Sequence, residues 1–597
     1  MAEYTAPLRE IRFVLEHLVD LESISALPPF GHVEADAVYG VLEENARFVE
    51  DVVAPLNRVG DVQGSLRNDD GSVTTPDGFV AAYKAYVDAG WGGVAFPEEY
   101  GGGGFPWLVG VAMQEILTSA NMAFSMCPLL NQGAIDMLLH HASEELKETY
   151  VPKMVTGEWT GTMNLTEPQA GSDVGALTTK AIPQDDGTYR ITGTKIFISF
   201  GEHDMAENII HLVLARTPGA PPGTKGISCF VVPKLRLDAD GNPGERNDVT
   251  CVSIEHKMGI KASPTCVLAY GERGEGALGY LIGDENAGMR YMFTMMNNAR
   301  LSVGLEGLSL AQRAFQMAVE YAKERKQGRA PGAAPGEQSA IVDHPDIRRM
   351  LLTMKSCIEA LRGITYANAA AIDRSRHAPD EATRTACDEL ADLLTPVSKG
   401  WGTDLGVELT SLAVQVFGGM GYIEETGVAQ HYRDARIAPI YEGTNGIQAI
   451  DLVGRKLPMR AGGAVADYLA YIEAADAKLA EAGEDLASIR SALADGLAAL
   501  RTATDWLLAN GLSQPLDALA GATPYLRLFS VVTGGWTMAL QAVAATKALA
   551  DASPDDKVFY EGKVLTARFF CEQILPQAAA LVPAVTATNR DLAAATF

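Results

Sequence analysis

The chain has 597 residues and carries 48 basic against 75 acidic side chains, a net charge of −27. At roughly 150 residues per domain this is enough for about four structural units, and an acidic excess of this size repels nucleic acid phosphates and anionic lipid, which counts against a polyanion-binding role. With 47% hydrophobic and 21% charged residues, the chain has globular composition and is too apolar for disorder.

Residues 1–40 read as a charged amphipathic arm that closes at Pro28-Pro29 and Gly31. Glu3, Arg9, Glu10, Arg12, Glu16 and Asp20 interrupt its apolar positions, so no signal-peptide core is expected. Helical spacing from Ala35 onward predicts a helical domain over 41–160, broken between Gly90 and Gly104, where Pro97 and a run of glycines force a loop. Short β-rich runs (Tyr189 to Thr192, Ile209 to Leu214, Gly226 to Val232), separated by Gly, Pro, Asp and Asn, predict a β-domain over 161–285. Long helical periods return after Gly288 and predict a helical bundle over 286–460, with a surface loop from Gly328 to Gly336. Beyond Gly462 an Ala- and Leu-rich stretch predicts a further helical domain, 461–597. Its most apolar part, Val531 to Ala550, carries Gln541 and Lys547 and reads as too polar for a membrane span. The fold class is therefore mainly α with a central β-domain.

The seven cysteines are scattered and never spaced C-x-x-C, which predicts free thiols in a reducing compartment and no zinc knuckle. His140 and His141 are adjacent, and neighbours on a helix point about 100° apart, so no metal site is expected. A cytoplasmic protein with neither metal nor membrane segment is the resulting expectation.

Three motifs carry chemistry. In Leu165-Thr166-Glu167-Pro168-Gln169-Ala170-Gly171-Ser172-Asp173 the Gly-Ser turn admits close approach of a ligand, and Thr166 and Ser172 supply hydroxyls for an oxygen-rich cofactor. By composition alone it is equally a solvent loop. In Gly193-Thr194-Lys195-Ile196-Phe197-Ile198-Ser199 strand alternation puts Phe197 and Ser199 on one side, a pairing suited to a planar ring with a polar edge and also to an ordinary core strand. The third begins at Gln415-Val416-Phe417-Gly418-Gly419-Met420-Gly421-Tyr422, continues at Arg433-Asp434, and ends at Tyr441-Glu442-Gly443-Thr444-Asn445-Gly446. Glu442, among apolar neighbours, is a carboxylate whose desolvation makes it a usable base near neutrality, or else a helix cap.

Occurring in this order, and joined by Pro97-Glu98-Glu99-Tyr100-Gly101-Gly102 and Lys257-Met258-Gly259, these motifs resemble the acyl-CoA dehydrogenase family. The resemblance implies a helical domain, a β-barrel-like domain and a helical bundle, with FAD held between the β-domain and the second helical unit. By similarity Leu165 and Thr166 contact the flavin's pyrimidine end, Ser199 lies near N5, Phe197 packs on the ring, and Ser172 sits where the pyrophosphate meets the pantetheine arm. Arg325, Gln415 and Gly419 resemble residues that reach the cofactor from a neighbouring subunit, and Thr444 is carried over as a cofactor contact. Glu442 matches the catalytic base, which removes the α-proton of an acyl-CoA while the β-hydride passes to flavin N5. Tyr441 and Gly443 then line the acyl site, and Arg300 resembles an arginine near the thioester, or serves only as a helix anchor. A rival base position falls at Ala299, which takes no proton.

Departures from the family pattern are Phe197 for a tryptophan, Lys326-Gln327-Gly328-Arg329 for a threonine-phenylalanine pair, Asn164 for a small residue, and Asn445-Gly446 for serine-glutamine, read as an adenosine-side change. Val303 and Gly304 read as liners of the acyl pocket. The added terminal segments resemble a long bacterial branch of the family, which implies a homodimer and a substrate that is a fatty acyl-CoA or 3-methylmercaptopropionyl-CoA. An electron-transfer flavoprotein is the implied acceptor. Alternatives are an acyl-CoA oxidase reoxidised by O₂ and a non-catalytic DNA-associated flavoprotein, the latter disfavoured by the acidic charge.

Overall fold

A computed structural model describes residues 3–597. Its main elements begin, in chain order, with helices α1 (Leu8–His17), α2 (Trp107–Ala120), α3 (Met122–His141) and α4 (Glu144–Thr156). Strands follow: β1 (Trp159–Asn164), β2 (Lys180–Pro183), β3 (Tyr189–Ser199), β4 (Asn208–Ala215), β5 (Ser228–Pro233), β6 (Val249–Ile254), β7 (Thr265–Tyr270) and β8 (Ala277–Leu281). Helices α5 (Gly288–Glu324), α6 (Pro345–His377), α7 (Gly402–Phe417), α8 (Asn445–Asp451), α9 (Ala522–Ala548) and α10 (Pro554–Gln573) complete the set. The chain is mainly α with a central sheet, as its periodicities predict.

Two compact units result, one made of Glu44–Phe105 and Ile116–Ala299, the other of the N-terminal segment up to Glu43, Pro106–Glu115 and Arg300–Phe597. In the first, the eight-stranded sheet runs β6-β7-β3-β8-β5-β4-β1, with β2 paired to β3. Every pair is antiparallel except β1 beside β4, where Trp159 lies opposite Asn208. β4 is buried along its whole length, the pattern of a strand covered on both faces. One face packs Trp159, Leu212 and Val231 against Leu138 of α3 and Met154 of α4. The other holds Ile191, Phe230, Cys251 and Leu268. The helices end where their sequences dictate: Asn121 caps α3 by accepting from the Phe124 N–H at 3.1 Å, Ser143 caps α4, and Gly157, at φ +86°, stops it.

The second unit is helical. Helix α1 is tied to it by charge: Glu10 pairs with Lys563 of α10 and with Lys355 of α6 at 3.3 Å, and Lys355 also meets Glu359 at 2.5 Å. The segment Ala522–Asp551, which contains α9, has a window of mean hydropathy 1.4 and by composition is long and apolar enough to cross a membrane. The reading of this stretch as too polar is thereby corrected, and the reason for its apolarity is its packing, since 89% of that window is buried inside the protein. Among the described residues the cysteines are all free and no cluster of His, Cys, Asp and Glu is placed to hold a metal ion.

Candidate functional site

Small residues on α5 draw it onto its neighbours. A Cβ on Gly304 would stand 2.3 Å from the Ser398 carbonyl oxygen, and one on Gly307 would stand 2.1 Å from that of Gly402, so the two backbones meet where only glycine fits. Gly304 therefore faces Ser398, which corrects its reading as a pocket liner. The segment pressed against α5 is a π-helical turn, Val397–Trp401, a distortion that often marks functional sites. It carries the fully buried Lys399, whose Nζ donates to Asn445 Oδ1 at 2.8 Å. Asn445 Nδ2 donates in turn to the Gly400 carbonyl at 2.9 Å and to Asp404 Oδ1 at 2.7 Å. This side chain is spent on holding α8 to the π-turn, so the reading of Asn445 as an adenosine-side change is corrected as well.

Just before α8 the chain makes a tight turn in which Glu442 has φ +55° and Gly443 φ +81°. A left-handed glutamate is strained backbone, found where surrounding structure enforces it. Here Gln448 does the enforcing: its buried Nε2 donates to the carbonyls of Glu442 at 3.4 Å and of Gly443 at 3.3 Å. Thr444 is the cap of α8, its hydroxyl accepting from the Ile447 N–H at 3.2 Å, so Glu442 is not a helix cap. The backbone N–H groups of Glu442 and Gly443 have no acceptor among the described residues. Burial pushes the Glu442 carboxyl up to about 7, against the opposing pull of the Arg300 and Lys399 cations. Burial likewise draws Lys399 down to about 8, with Glu442 and Glu306 pulling the other way.

Arg300 is buried, with Nη1 3.8 Å from Asp451 Oδ2 and Nη2 3.6 Å from where a Cβ on Gly443 would lie. It is thus both a helix anchor and a cation beside the turn. The Tyr441 hydroxyl donates to the buried Glu306 on α5. Of the predicted residues, Arg300, Tyr441, Glu442, Gly443 and Thr444 come together here. Sequence reading missed Lys399, Glu306 and Gln448. An isolated charge in an apolar run is the signal that marks the first two, since Lys399 follows Val397-Ser398 and Glu306 stands between Leu305 and Gly307-Leu308.

A second group forms on the β-domain. Lys195, fully buried in β3, donates to the Leu165 carbonyl and to Glu167 Oε1, both at 2.9 Å. Glu167 also accepts from the Thr178 N–H at 2.7 Å and the Thr179 N–H at 3.0 Å. The Thr166 carbonyl is taken by the Ile196 N–H at 2.9 Å. With the loop's carbonyls so anchored, the hydroxyls of Thr166, Ser172 and Ser199 form no hydrogen bond among the described residues.

The predicted strict alternation through Phe197 and Ser199 is broken. Opposite the step from Cys266 to Leu268 of β7, β3 runs from Ile198 back to Lys195, so it carries one extra residue, a bulge. Phe197 sits in it at φ +59° and is 59% exposed. A presented aromatic face, three uncommitted hydroxyls, and open space over Gly171, where a Cβ would meet nothing nearer than 3.9 Å, fit a planar, polar-edged cofactor such as a flavin.

Arg325, Gln415 and Gly419 form a third, exposed group. Arg325 lies 25 residues past Arg300, about 37 Å along a helix axis, so these residues are not brought to Glu442. Stacked rings of Tyr321 and Phe417, 4.1 Å apart, join the ends of α5 and α7 beneath them.

Family models cover most of the chain: the acyl-CoA dehydrogenase N-terminal domain matches 41–158, the middle domain 162–271 and the C-terminal domain 286–457, and a model described as acetyl-CoA dehydrogenase C-terminal like matches 464–596. A 3-methylmercaptopropionyl-CoA dehydrogenase of Ruegeria pomeroyi is 46% identical over 595 residues, 100% of each chain. A butyryl-CoA dehydrogenase of Syntrophomonas wolfei is 37% identical over 586 residues, 96% of this chain and 95% of that one. In fold, an acyl-CoA dehydrogenase of Bacillus anthracis, solved with FAD, matches with a TM-score of 0.72 at 21% identity over 93% of this chain and 88% of its own. The chain belongs to the acyl-CoA dehydrogenase family and is an FAD-dependent oxidoreductase.

Proposed function

We propose that the protein oxidises the Cα–Cβ bond of a short acyl-CoA to the trans-2-enoyl-CoA, with Glu442 as the base, and that 3-methylmercaptopropionyl-CoA is its preferred substrate. The observation that carries this is the Glu442 turn: a strained carboxylate poised at about 7, beside two cations, with its own N–H unspent. A base with that pKa is half-ionised at neutral pH and takes a proton well. The thioester α-proton becomes acidic enough only when the carbonyl oxygen is hydrogen-bonded, and the Glu442 N–H is the donor this chain supplies for it. Bound FAD supplies the acceptor for the β-hydride. Leu165, Thr166, Ser172, Phe197 and Ser199 of the β-domain hold it, and Thr444 is carried over from the family resemblance as a cofactor contact. Tyr441, Gly443 and Arg300 position the acyl group.

The full-length likeness to the Ruegeria pomeroyi enzyme supports the thioether substrate, and the likeness to the butyryl-CoA dehydrogenase supports a short chain. Arg325, Gln415 and Gly419 serve the cofactor of a second copy in a homodimer, and electrons leave to an electron-transfer flavoprotein. An oxidase would instead release peroxide in air, which an aerobic turnover assay detects.

The test is anaerobic titration of the flavin-loaded protein with butyryl-, octanoyl-, palmitoyl- and 3-methylmercaptopropionyl-CoA while following flavin absorbance. Bleaching by the thioether substrate at the lowest concentration is expected, and none by any of them overturns the proposal. Glu442→Gln retains FAD and loses about 10²–10⁴-fold in reduction rate. Undiminished reduction places the base elsewhere.

A further inference from the structure

Glu306 has no part in the chemistry above. It is fully buried on α5, in a run whose other members are Val303, Gly304, Leu305, Gly307 and Leu308. A carboxyl is among the costliest groups to enclose in such a setting, so space-filling is a poor account of it. Its Oε2 accepts from the Tyr441 hydroxyl, while its Oε1, equally enclosed, has no hydrogen-bond partner. Burial pushes its pKa up to about 8; the Tyr441 hydrogen bond offsets this in part, and the Glu442 charge adds to it. Glu306 is thus a neutral acid at pH 7. In a neutral carboxylic acid the oxygen that accepts is the carbonyl oxygen and the other bears the proton. Oε1 is therefore an O–H donor to which the protein offers no acceptor. Lys399, the cation in whose field it lies, has only donors to give.

Tyr441 precedes Glu442 in the chain, so this donor stands one side chain away from the base. An acyl group whose α-carbon meets Glu442 and whose tail follows the Tyr441 side chain to its hydroxyl would reach the group to which that hydroxyl donates, Glu306. We propose that Glu306 is the specificity-determining residue of the acyl site, donating a hydrogen bond from Oε1 to a heteroatom placed just beyond the reacting carbons, and so selecting thioether-bearing acyl-CoAs over plain alkyl ones. The inference rests on the reading of Glu442 as the base of an acyl-CoA dehydrogenase and deepens it.

The test compares two isosteres, 3-methylmercaptopropionyl-CoA and pentanoyl-CoA, which differ by sulfur for methylene. Two ratios are read: kcat/KM for flavin reduction in the holoenzyme, and calorimetric Kd in a Glu442→Gln holoenzyme, where reduction is slowed about 10²–10⁴-fold. The thioether is expected to be preferred about three- to tenfold, the worth of one neutral hydrogen bond. Glu306→Leu abolishes the preference while the variant still bleaches with pentanoyl-CoA. Glu306→Gln keeps it, because the amide still accepts from Tyr441 and donates from Nε2. A wild-type ratio within twofold of one, or an unchanged ratio in Glu306→Leu, overturns the proposal without touching the proposed reaction. Selective binding of the thioether without any flavin reduction upholds Glu306 and overturns the reaction instead.

Discussion

Glu442 combines a left-handed backbone with a carboxyl pushed up to about 7 by burial, and both have measurable consequences. Because only the ionised form takes a proton, the flavin reduction rate is expected to rise about tenfold per pH unit below 7 and level off above it, as a stopped-flow pH series would show. The same group weakens the fold. The unfolded carboxyl ionises near 4.5 and the folded one near 7, so between those values the unfolded state binds fewer protons and stability falls as pH rises. Glu442→Gln removes that penalty, so its thermal midpoint is expected to exceed the wild type's at pH 8 and to match it near pH 4.5. An equal difference at both pH values contradicts the burial argument. Glu167 shows the opposite sign. Burial raises its pKa, but Lys195 and the Thr178 and Thr179 bonds outweigh that and hold it near 2, so its contribution is present above about 4.5 and lost as pH falls toward 2.

At the level of elements, the site depends on how closely α5 meets the π-turn and α7. Gly304 and Gly307 allow this contact, and Gly406 of α7 closes it from the other side, where a Cβ would come within 2.6 Å of Gly307 Cα. Gly307→Ala is expected to cost about 1–3 kcal/mol by overpacking and to lower activity by displacing Lys399, whose charge acts on Glu442. Urea unfolding with parallel kinetics checks both. A stable but fully active variant would show that the crossing yields without moving the site. On the β-domain the comparable device is the bulge in β3, which turns Phe197 outward while leaving Lys195 buried under the Leu165–Glu167 loop.

At the scale of the whole molecule, the N-terminal arm, α6 and α10 are joined through one buried ionic cluster. Lys563 lies between Glu10 and Glu359, Lys355 bridges the same two carboxylates, and Thr566 donates to Glu359 Oε2 at 2.7 Å. Lys563→Met leaves Glu359 and Glu10 under-compensated and is expected to cost about 3–5 kcal/mol, read as a lowered thermal midpoint with unchanged kcat/KM, since the charges acting on Glu442 are Arg300 and Lys399, neither of them in the cluster. Helix α9 is apolar because it is enclosed, so a chain cut at residue 460 is expected to expose its former partners on α6 and to aggregate.

Amphipathic periods, turn residues and the change of texture near residue 160 sufficed for the helix–sheet–helix order, and the ordered motifs sufficed for the family and its flavin. These properties are written in local spacing, which period and turn chemistry express without reference to distant residues. Glu442 was legible for the same reason, as a carboxylate in an apolar tetrapeptide. Only tertiary structure decided that Asn445 faces inward to Lys399, that Thr444 and not Glu442 caps α8, and that Gly304 abuts Ser398. It alone also revealed the bulge that turns Phe197 outward and the pairing of Glu306 with Tyr441. Apart from the Thr444 cap, which reaches only to Ile447, each of these is a contact between residues far apart in the chain, and the extent of desolvation, which sets the pKa of Glu442, Glu306 and Lys399, is only hinted at by apolar neighbours because it depends on what the rest of the fold lays over them.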